Sequence, residues 1–207
     1  MADLPELFAR LAELSEKERL DPSLVSKPYS IPYIADESFD EWLERLTPHN
    51  REKAQVLLTI MQALGAQEAE MWVRSEINEN IPQLSRFLIL RSIWKDAVHY
   101  WLKQGVLESE LNSLDWLEGL EPLAGIQTTV DTLLASGVDR DVLAKFAAYV
   151  AAVAANSVVG VLDGYDDYPS NAPGFVVHEV DGNGEFTGRN IDGLHESFLD
   201  TDVSHLT

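Results

Sequence analysis

The sequence predicts a mainly α-helical protein, a compact multi-helix bundle with a small β-hairpin near its C-terminus. Apolar residues recur at helical spacing through most of the chain, and several of these runs begin with a helix-capping pattern. Near the C-terminus, a glycine-rich turn separates two short runs of β-forming residues. Because 45% of the 207 residues are hydrophobic, the chain can bury a substantial core.

Capping patterns predict where the N-terminal helices begin. Asp3 and Glu6 form a capping-box pattern ahead of a helix that runs to about Leu20, and Ser38 and Glu41 form a second one. The segment between these helices, "DPSLVSKPYSIPYIADE", contains three prolines and no helical period. We expect this connector to be extended and to pack over the body through its apolar side chains, which are Tyr29, Ile31, Tyr33 and Ile34.

The next helices are predicted from their ends and their apolar periodicity. Thr47 followed by Pro48 is typical of a helix start, and Gly65 of a helix end. Residues 83–103 predict one amphipathic helix that ends at Gly105. Two shorter helices follow, over residues 107–117 and 126–134, so that the predicted bundle contains many short helices.

Residues 139–162 predict a long helix that is apolar nearly all round. A helix of this kind is expected at the centre of a bundle, surrounded by the others. Its core, "VLAKFAAYVAAVAANSVVGVL", is also the most membrane-like stretch of the chain. Because it is rich in alanine, contains Lys145, Asn156 and Ser157, and is flanked by acids, we interpret it as the buried helix of a soluble protein, with no membrane as partner.

The last 45 residues differ from the rest of the chain. "FVVHEV", "DGNG" and "EFTGR" together predict a β-hairpin, and residues 195–199 a short helix. We therefore predict a single domain over residues 1–207. It would consist of a helical body (1–162) and an acidic segment with loop, hairpin and tail (163–207).

Composition indicates the compartment and excludes several kinds of chemistry. The chain has no cysteine, which excludes disulfides, thiolate metal ligands and cysteine nucleophiles. The N-terminus lacks the basic and apolar regions of a signal peptide. We expect a cytoplasmic protein, since this composition suits a reducing compartment.

The charge is strongly negative and unevenly distributed. The formal net charge is −20, which argues against binding nucleic acid through its phosphates. Residues 104–139 hold seven acids and no base, and residues 163–207 hold ten acids and one base. This asymmetry favours a surface that meets a basic protein. Two alternatives remain, the general acidity of many cytosolic proteins and adaptation to high salt.

Two acidic regions are the candidate partner-binding sites. Asp163, Asp166 and Asp167 cluster at the predicted C-terminus of the long helix, where carboxylates face the negative end of the helix dipole and need an offsetting partner. Tyr165 and Tyr168 add anchoring surface beside them. The alternative is an ordinary loop in which these residues form turns. The full predicted contact set is Asp163, Tyr165, Asp166, Asp167, Tyr168 and Asp181, with Glu108, Glu110, Asp115 and Glu118 as the second acidic region.

Signals for metal binding and catalysis are weaker. Residues 181–192 resemble a calcium loop, but Phe186 stands where the turn glycine belongs and the flanks predict strands. A mixed metal site could combine His178 and His195 with Asp166 or Asp167, although nothing in their spacing requires it. A stripe of bases, Arg91, Lys95, His99 and Lys103, predicts either an anion-binding cleft or pairing with acids. The sequence contains no phosphate loop, nucleophile elbow or dinucleotide fingerprint.

These observations rank the functions. The leading hypothesis is an acidic protein that neutralises a basic protein, such as an immunity protein or antitoxin-like inhibitor of a bacterial toxin. It requires no catalytic residue, metal or cofactor. The alternatives are a metal-dependent hydrolase that uses Asp163, Asp167, His178 and His195, a nucleic-acid mimic, and a structural protein with solubilising acidic faces. The sequence leaves open whether the protein is a monomer or a homodimer.

Overall fold

The computed structural model describes residues 3–111, 125–164 and 176–202, and its architecture is mainly helical, as predicted. The helices are α1 (Leu4–Leu20), α2 (Phe39–Arg45), α3 (Pro48–Ala63), α4 (Ala69–Glu79), α5 (Gln83–Ile93), α6 (Val106–Leu111), α7 (Ile126–Ala135), α8 (Arg140–Leu162) and α9 (Leu194–Ser197). Two strands, β1 (Val177–Val180) and β2 (Phe186–Ile191), form one antiparallel hairpin near the C-terminus.

The capping patterns place the helix starts correctly. At α2, the Glu41 amide donates to Ser38 Oγ over 3.3 Å and the Ser38 amide donates back to the Glu41 carboxylate over 2.9 Å. At α3, Thr47 Oγ1 accepts from the Asn50 amide over 3.2 Å. Asp3 precedes α1 as its N-cap but makes no side-chain cap bond, so that the predicted capping box is absent there.

A first hydrophobic core joins α1 to α5. Its most completely buried large side chains include Trp42, Leu57, Ile60, Met61 and Phe87. The connector between α1 and α2 packs on this core less than predicted. Ile31 contacts it, but the exposed fractions are 76% for Tyr29, 89% for Tyr33 and 50% for Ile34.

The predicted helix over residues 83–103 is interrupted. After α5 the backbone forms a π-helical segment over Trp94–Val98 and then a 3₁₀ turn over His99–Leu102. The buried Trp94 lies at this change, stacks on Phe198 with 4.8 Å between ring centroids, and donates from Nε1 to the Phe198 carbonyl over 2.6 Å. The π-helical segment, which is wound more widely than an α-helix, therefore coincides with the contact between Trp94 and Phe198 near the C-terminus.

A second hydrophobic core joins the end of α5 to α8, the hairpin and α9. Its buried members are Leu90, Trp94, Val98, Ala148, Val159, Ile191, Leu194 and Phe198. The prediction that the long helix lies buried at the centre of the bundle is wrong. Only Ala148 and Val159 of α8 are buried, because the second core covers one side of the helix and nothing in the described residues covers the other.

The hairpin is anchored to the helical body by a buried ionic network. Arg189 of β2 donates to Glu179 of β1 over 2.7 Å and to Glu76 of α4 over 3.0 Å. The exposed fractions of the two carboxylate side chains are 8% and 3%. Glu179 also accepts from Ser85 Oγ of α5 over 2.6 Å. Since the network reaches α4 and α5, the hairpin packs on the body and does not project from it.

Candidate functional site

The second acidic region is partly exposed on α6. Glu108 has a 45% exposed side chain and pairs with Arg140 at the start of α8 over 3.0 Å. Glu110 accepts from the Tyr100 hydroxyl, and this bond raises the pKa of Tyr100. Asp115 and Glu118 lie outside the described residues. The structure therefore places two of the four predicted acids on one short helix and engages both with neighbouring side chains.

Asp163 is the predicted contact whose environment differs most from an exposed partner site. It is the C-cap of α8, and its side chain is only 2% exposed. One carboxylate oxygen, Oδ2, accepts from the His195 amide over 2.8 Å and lies 2.7 Å from His195 Nδ1. The expected offset to the helix dipole thus comes from within the chain, since a ring nitrogen and an amide meet the carboxylate. The other four residues of this loop in the predicted set, Tyr165 to Tyr168, lie outside the described residues.

Two buried polar atoms near this contact lack a partner among the described residues. They are Asp163 Oδ1 and Arg86 Nε. Arg86 Nη2 donates to the Gly193 carbonyl and to Ser197 Oγ, the latter over 2.9 Å, and Nη1 donates to Gln83 Oε1 over 3.1 Å. Burial lowers the pKa of Arg86, and the carboxylates of Asp192 and Asp163 act in the opposite direction. Arg86 and Asp163 thus hold α9 against α5 and α8.

Asp181 organises the turn of the hairpin. Its Oδ1 accepts from the Asn183 amide over 2.8 Å and from the Glu185 amide over 3.0 Å. Hydrogen bonds from the Glu185 and Asn183 amides lower the pKa of this carboxyl. This geometry explains the resemblance to a calcium loop as turn chemistry, because strands flank the turn and the acid binds backbone amides.

The histidines predicted as metal ligands lie in different surroundings. His195 contacts Asp163, whereas the exposed His178 packs edge-on against Phe186 with 5.5 Å between ring centroids. No group of three metal-binding side chains occurs among the described residues. Asp167, the remaining member of the predicted hydrolase site, lies outside them.

The basic stripe does not form an anion-binding cleft, because its members have separate partners. Arg91 donates to the Leu64 carbonyl over 3.2 Å, and His99 lies 3.0 Å from Asp202. Lys95 lies 4.0 Å from Asp96, and Lys103 lies over the Tyr100 ring at 5.4 Å. The interruption of the helix after Ile93 changes the spacing on which a continuous stripe depends.

The arginines of the chain are committed to internal contacts. Each of the nine donates a hydrogen bond to a protein acceptor: Arg10, Arg19, Arg45, Arg51, Arg74, Arg86, Arg91, Arg140 and Arg189. Three of them, Arg51, Arg86 and Arg91, donate to uncharged acceptors and form no salt bridge with an acid among the described residues. With 35 acids against 15 Lys and Arg residues, the acids outnumber the bases that could pair with them, and the formal net charge is −20.

The exposed side of α8 is the surface that the sequence analysis missed. We define the α8 outer face by six of its apolar residues: Val142, Phe146, Tyr149, Val150, Val153 and Val161. Each is 39% to 66% exposed. By length and composition, α8 is the one helix among the described residues that could cross a membrane. It is nevertheless held in a compact fold, because its other side packs on the second core and its C-cap carboxylate is bound to α9.

Comparison with protein-family models, with curated proteins and with solved structures finds no match for this chain.

Proposed function

We propose that this chain is a cytoplasmic acidic binding protein that neutralises a basic protein partner. In its most concrete form, it would be an immunity protein or antitoxin-like inhibitor of a bacterial toxin. The observation that carries the proposal is the surplus of acids over a set of arginines that are all engaged within the fold. A negative surface of this kind speeds the encounter with a positively charged protein.

The acidic regions supply candidate contacts of different kinds. Glu108 and Asp181 lie within the described residues, and both are partly exposed to solvent. Asp166 and Asp167, with Tyr165 and Tyr168, remain sequence-based predictions. In this proposal the acids steer the encounter and the tyrosines anchor the complex, since buried aromatic side chains carry much of the binding energy at interfaces. Asp163 would act indirectly, as the buried residue that fixes the start of the loop.

Capture from a lysate of the host tests this function. The immobilised full chain is incubated with lysate at about 50 mM and about 500 mM NaCl, and bound proteins are identified by mass spectrometry. We expect one stoichiometric basic protein at low salt and much less at high salt. Absence of any stoichiometric basic protein at low salt would contradict the proposal.

Two charge-reversed double variants, one in the predicted loop and one elsewhere, test whether the loop acidic residues bind the captured protein. Replacing Asp166→Lys and Asp167→Lys together should weaken capture of that protein. Replacing Glu44→Lys and Glu70→Lys changes the net charge equally on exposed positions of α2 and α4. If both double variants lose the partner equally, net charge alone is responsible and the loop has no specific role.

A metal-dependent hydrolase is the second candidate, favoured by the contact between Asp163 and His195. Such a function requires further ligands beyond this pair, since no group of three occurs in the described residues. Melting temperatures with zinc, manganese and calcium test it. A rise that disappears in His195→Ala would support a metal site, and no change with any of the three would eliminate it.

A further inference from the structure

The α8 outer face is an extended apolar surface with few charges. Between Val142 and Leu162 the sequence has no acid and a single base, Lys145. The two aromatic rings are the most prominent, with Phe146 63% and Tyr149 66% exposed. Surfaces of this composition on a soluble protein mark interaction sites, because leaving them in water is unfavourable.

The size of the face corresponds to a protein–protein interface. Its six residues expose on the order of 600 Å², near the roughly 800 Å² that each partner contributes to a standard interface. Val142, Phe146, Tyr149 and Val153 follow one another at spacings of four, three and four. This alternation places them along one side of the helix, as in the seam of a coiled coil.

The charge of the chain decides between occupants of this face. An anionic membrane or a nucleic acid would be repelled by a protein of net charge −20. A basic partner would find no carboxylate between Val142 and Leu162. Two copies of this chain, by contrast, repel each other over most of their surfaces and can approach where acids are absent. Homodimer interfaces are also the more apolar class.

The shape of the helix supports pairing with itself. The large rings of Phe146 and Tyr149 lie in its N-terminal half, and the small residues Ser157 and Gly160 lie on the same side in its C-terminal half. Gly160 is helical, and a side chain added there would meet nothing within 4 Å. Glycine inside a helix is destabilising relative to alanine. Because Gly160 has no side chain, it leaves a notch at which a second chain could approach the helix backbone closely.

We propose that the α8 outer face is the interface of a homodimer in which two copies of α8 pack antiparallel about a two-fold axis. The aromatic half of each helix then lies against the small-residue half of the other. Such an interface is isologous, because the same patch of both subunits meets itself. The dimer does not depend on the proposed binding of a basic partner, since the two surfaces differ.

Sedimentation velocity of the full chain over a range of concentrations tests the dimer. We expect reversible dimerisation that strengthens with salt, because screening reduces the repulsion between two acidic subunits. The double variant Phe146→Gln, Tyr149→Gln should weaken dimerisation about tenfold or more. A control, Tyr33→Gln, Phe186→Gln, removes two other exposed rings and should leave dimerisation unchanged. Far-UV circular dichroism verifies that both variants fold.

Gly160→Leu tests the arrangement independently of the aromatic variants. Leucine favours the helix over glycine, so that the subunit should be at least as stable, while its side chain fills the notch and should weaken the dimer. A chain that stays monomeric at every concentration and salt would overturn the proposal. So would a dimer that the aromatic variant leaves intact, or one that Gly160→Leu tightens. Monomers that bind neutral phosphatidylcholine vesicles through the same aromatic residues would assign the face to lipid instead.

Discussion

At the scale of single residues, Asp163 shows how a side chain predicted to meet a partner can serve the fold. It ends α8, where its charge faces the negative end of the helix dipole, and the amide and ring of His195 offset that cost. Because the carboxylate is only 2% exposed, its contacts lie within the chain. The same contacts place α9 against the end of α8.

Replacing Asp163 tests this structural role. We expect Asp163→Ala to lower the free energy of unfolding by about 1–3 kcal/mol, since it leaves the part-buried His195 amide without its acceptor. Asp200→Ala, at an exposed position of the same C-terminal segment, is the control and should change it by less than about 0.5 kcal/mol. Equal effects in urea denaturation would show that Asp163 does not hold α9.

Asp181 makes a prediction about pH. Hydrogen bonds from the Glu185 and Asn183 amides lower the pKa of Asp181 in the folded chain. Its contribution to the stability of the hairpin is therefore complete above the unfolded pKa of about 4. The contribution is lost as the pH falls through the lower folded value. A carboxyl NMR titration should therefore give a lower midpoint in the folded chain than in the chain unfolded by urea. Identical midpoints would mean that the turn does not form as described.

At the scale of elements, the sequence predicts where helices lie better than which of their sides are covered. The Ser38 and Thr47 caps and the start of α8 at Asp139 were predictable because each depends on a few neighbouring residues. The hairpin was predictable from its turn residues. The interruption after Ile93 was not, because it coincides with a contact between Trp94 and the distant Phe198.

The exposure of α8 has the same kind of cause. A helix that is apolar all round gains stability from burial, but its sequence does not show how many other helices or strands pack against it. The Asp163–His195 contact and the Arg189 network also join residues far apart in sequence, and no local pattern indicates them. Of the candidate site, the sequence therefore identified acidic regions but could not separate structural carboxylates from exposed ones.

Two adjacent valines test the sidedness of α8. Val159 is fully buried in the second core and Val158 is 57% exposed. We expect Val159→Ala to lower the free energy of unfolding by about 1–3 kcal/mol through lost packing, and Val158→Ala by less than about 0.5 kcal/mol. Chemical denaturation of the two variants measures the difference. Comparable losses would mean that the helix is covered on both sides.

At the scale of the whole molecule, the negative charge should make binding of a basic partner and dimerisation respond to salt in opposite directions. Encounter with a basic partner is driven by attraction and should slow as salt rises, whereas dimerisation through the α8 outer face is opposed by repulsion and should strengthen. The two proposals can therefore fail separately. Glu44→Lys with Glu70→Lys, which reduces the net negative charge away from α8, should tighten the dimer slightly at low salt.

The association rate with the captured basic protein tests the central claim most directly. Stopped-flow measurements from about 20 mM to about 500 mM NaCl should show a steep fall in the association rate constant, with a smaller change in the dissociation rate. Asp166→Lys with Asp167→Lys should lower the association rate at low salt more than the control on α2 and α4. An association rate that is independent of both salt and these charges would contradict an acidic surface that evolved to meet a basic partner.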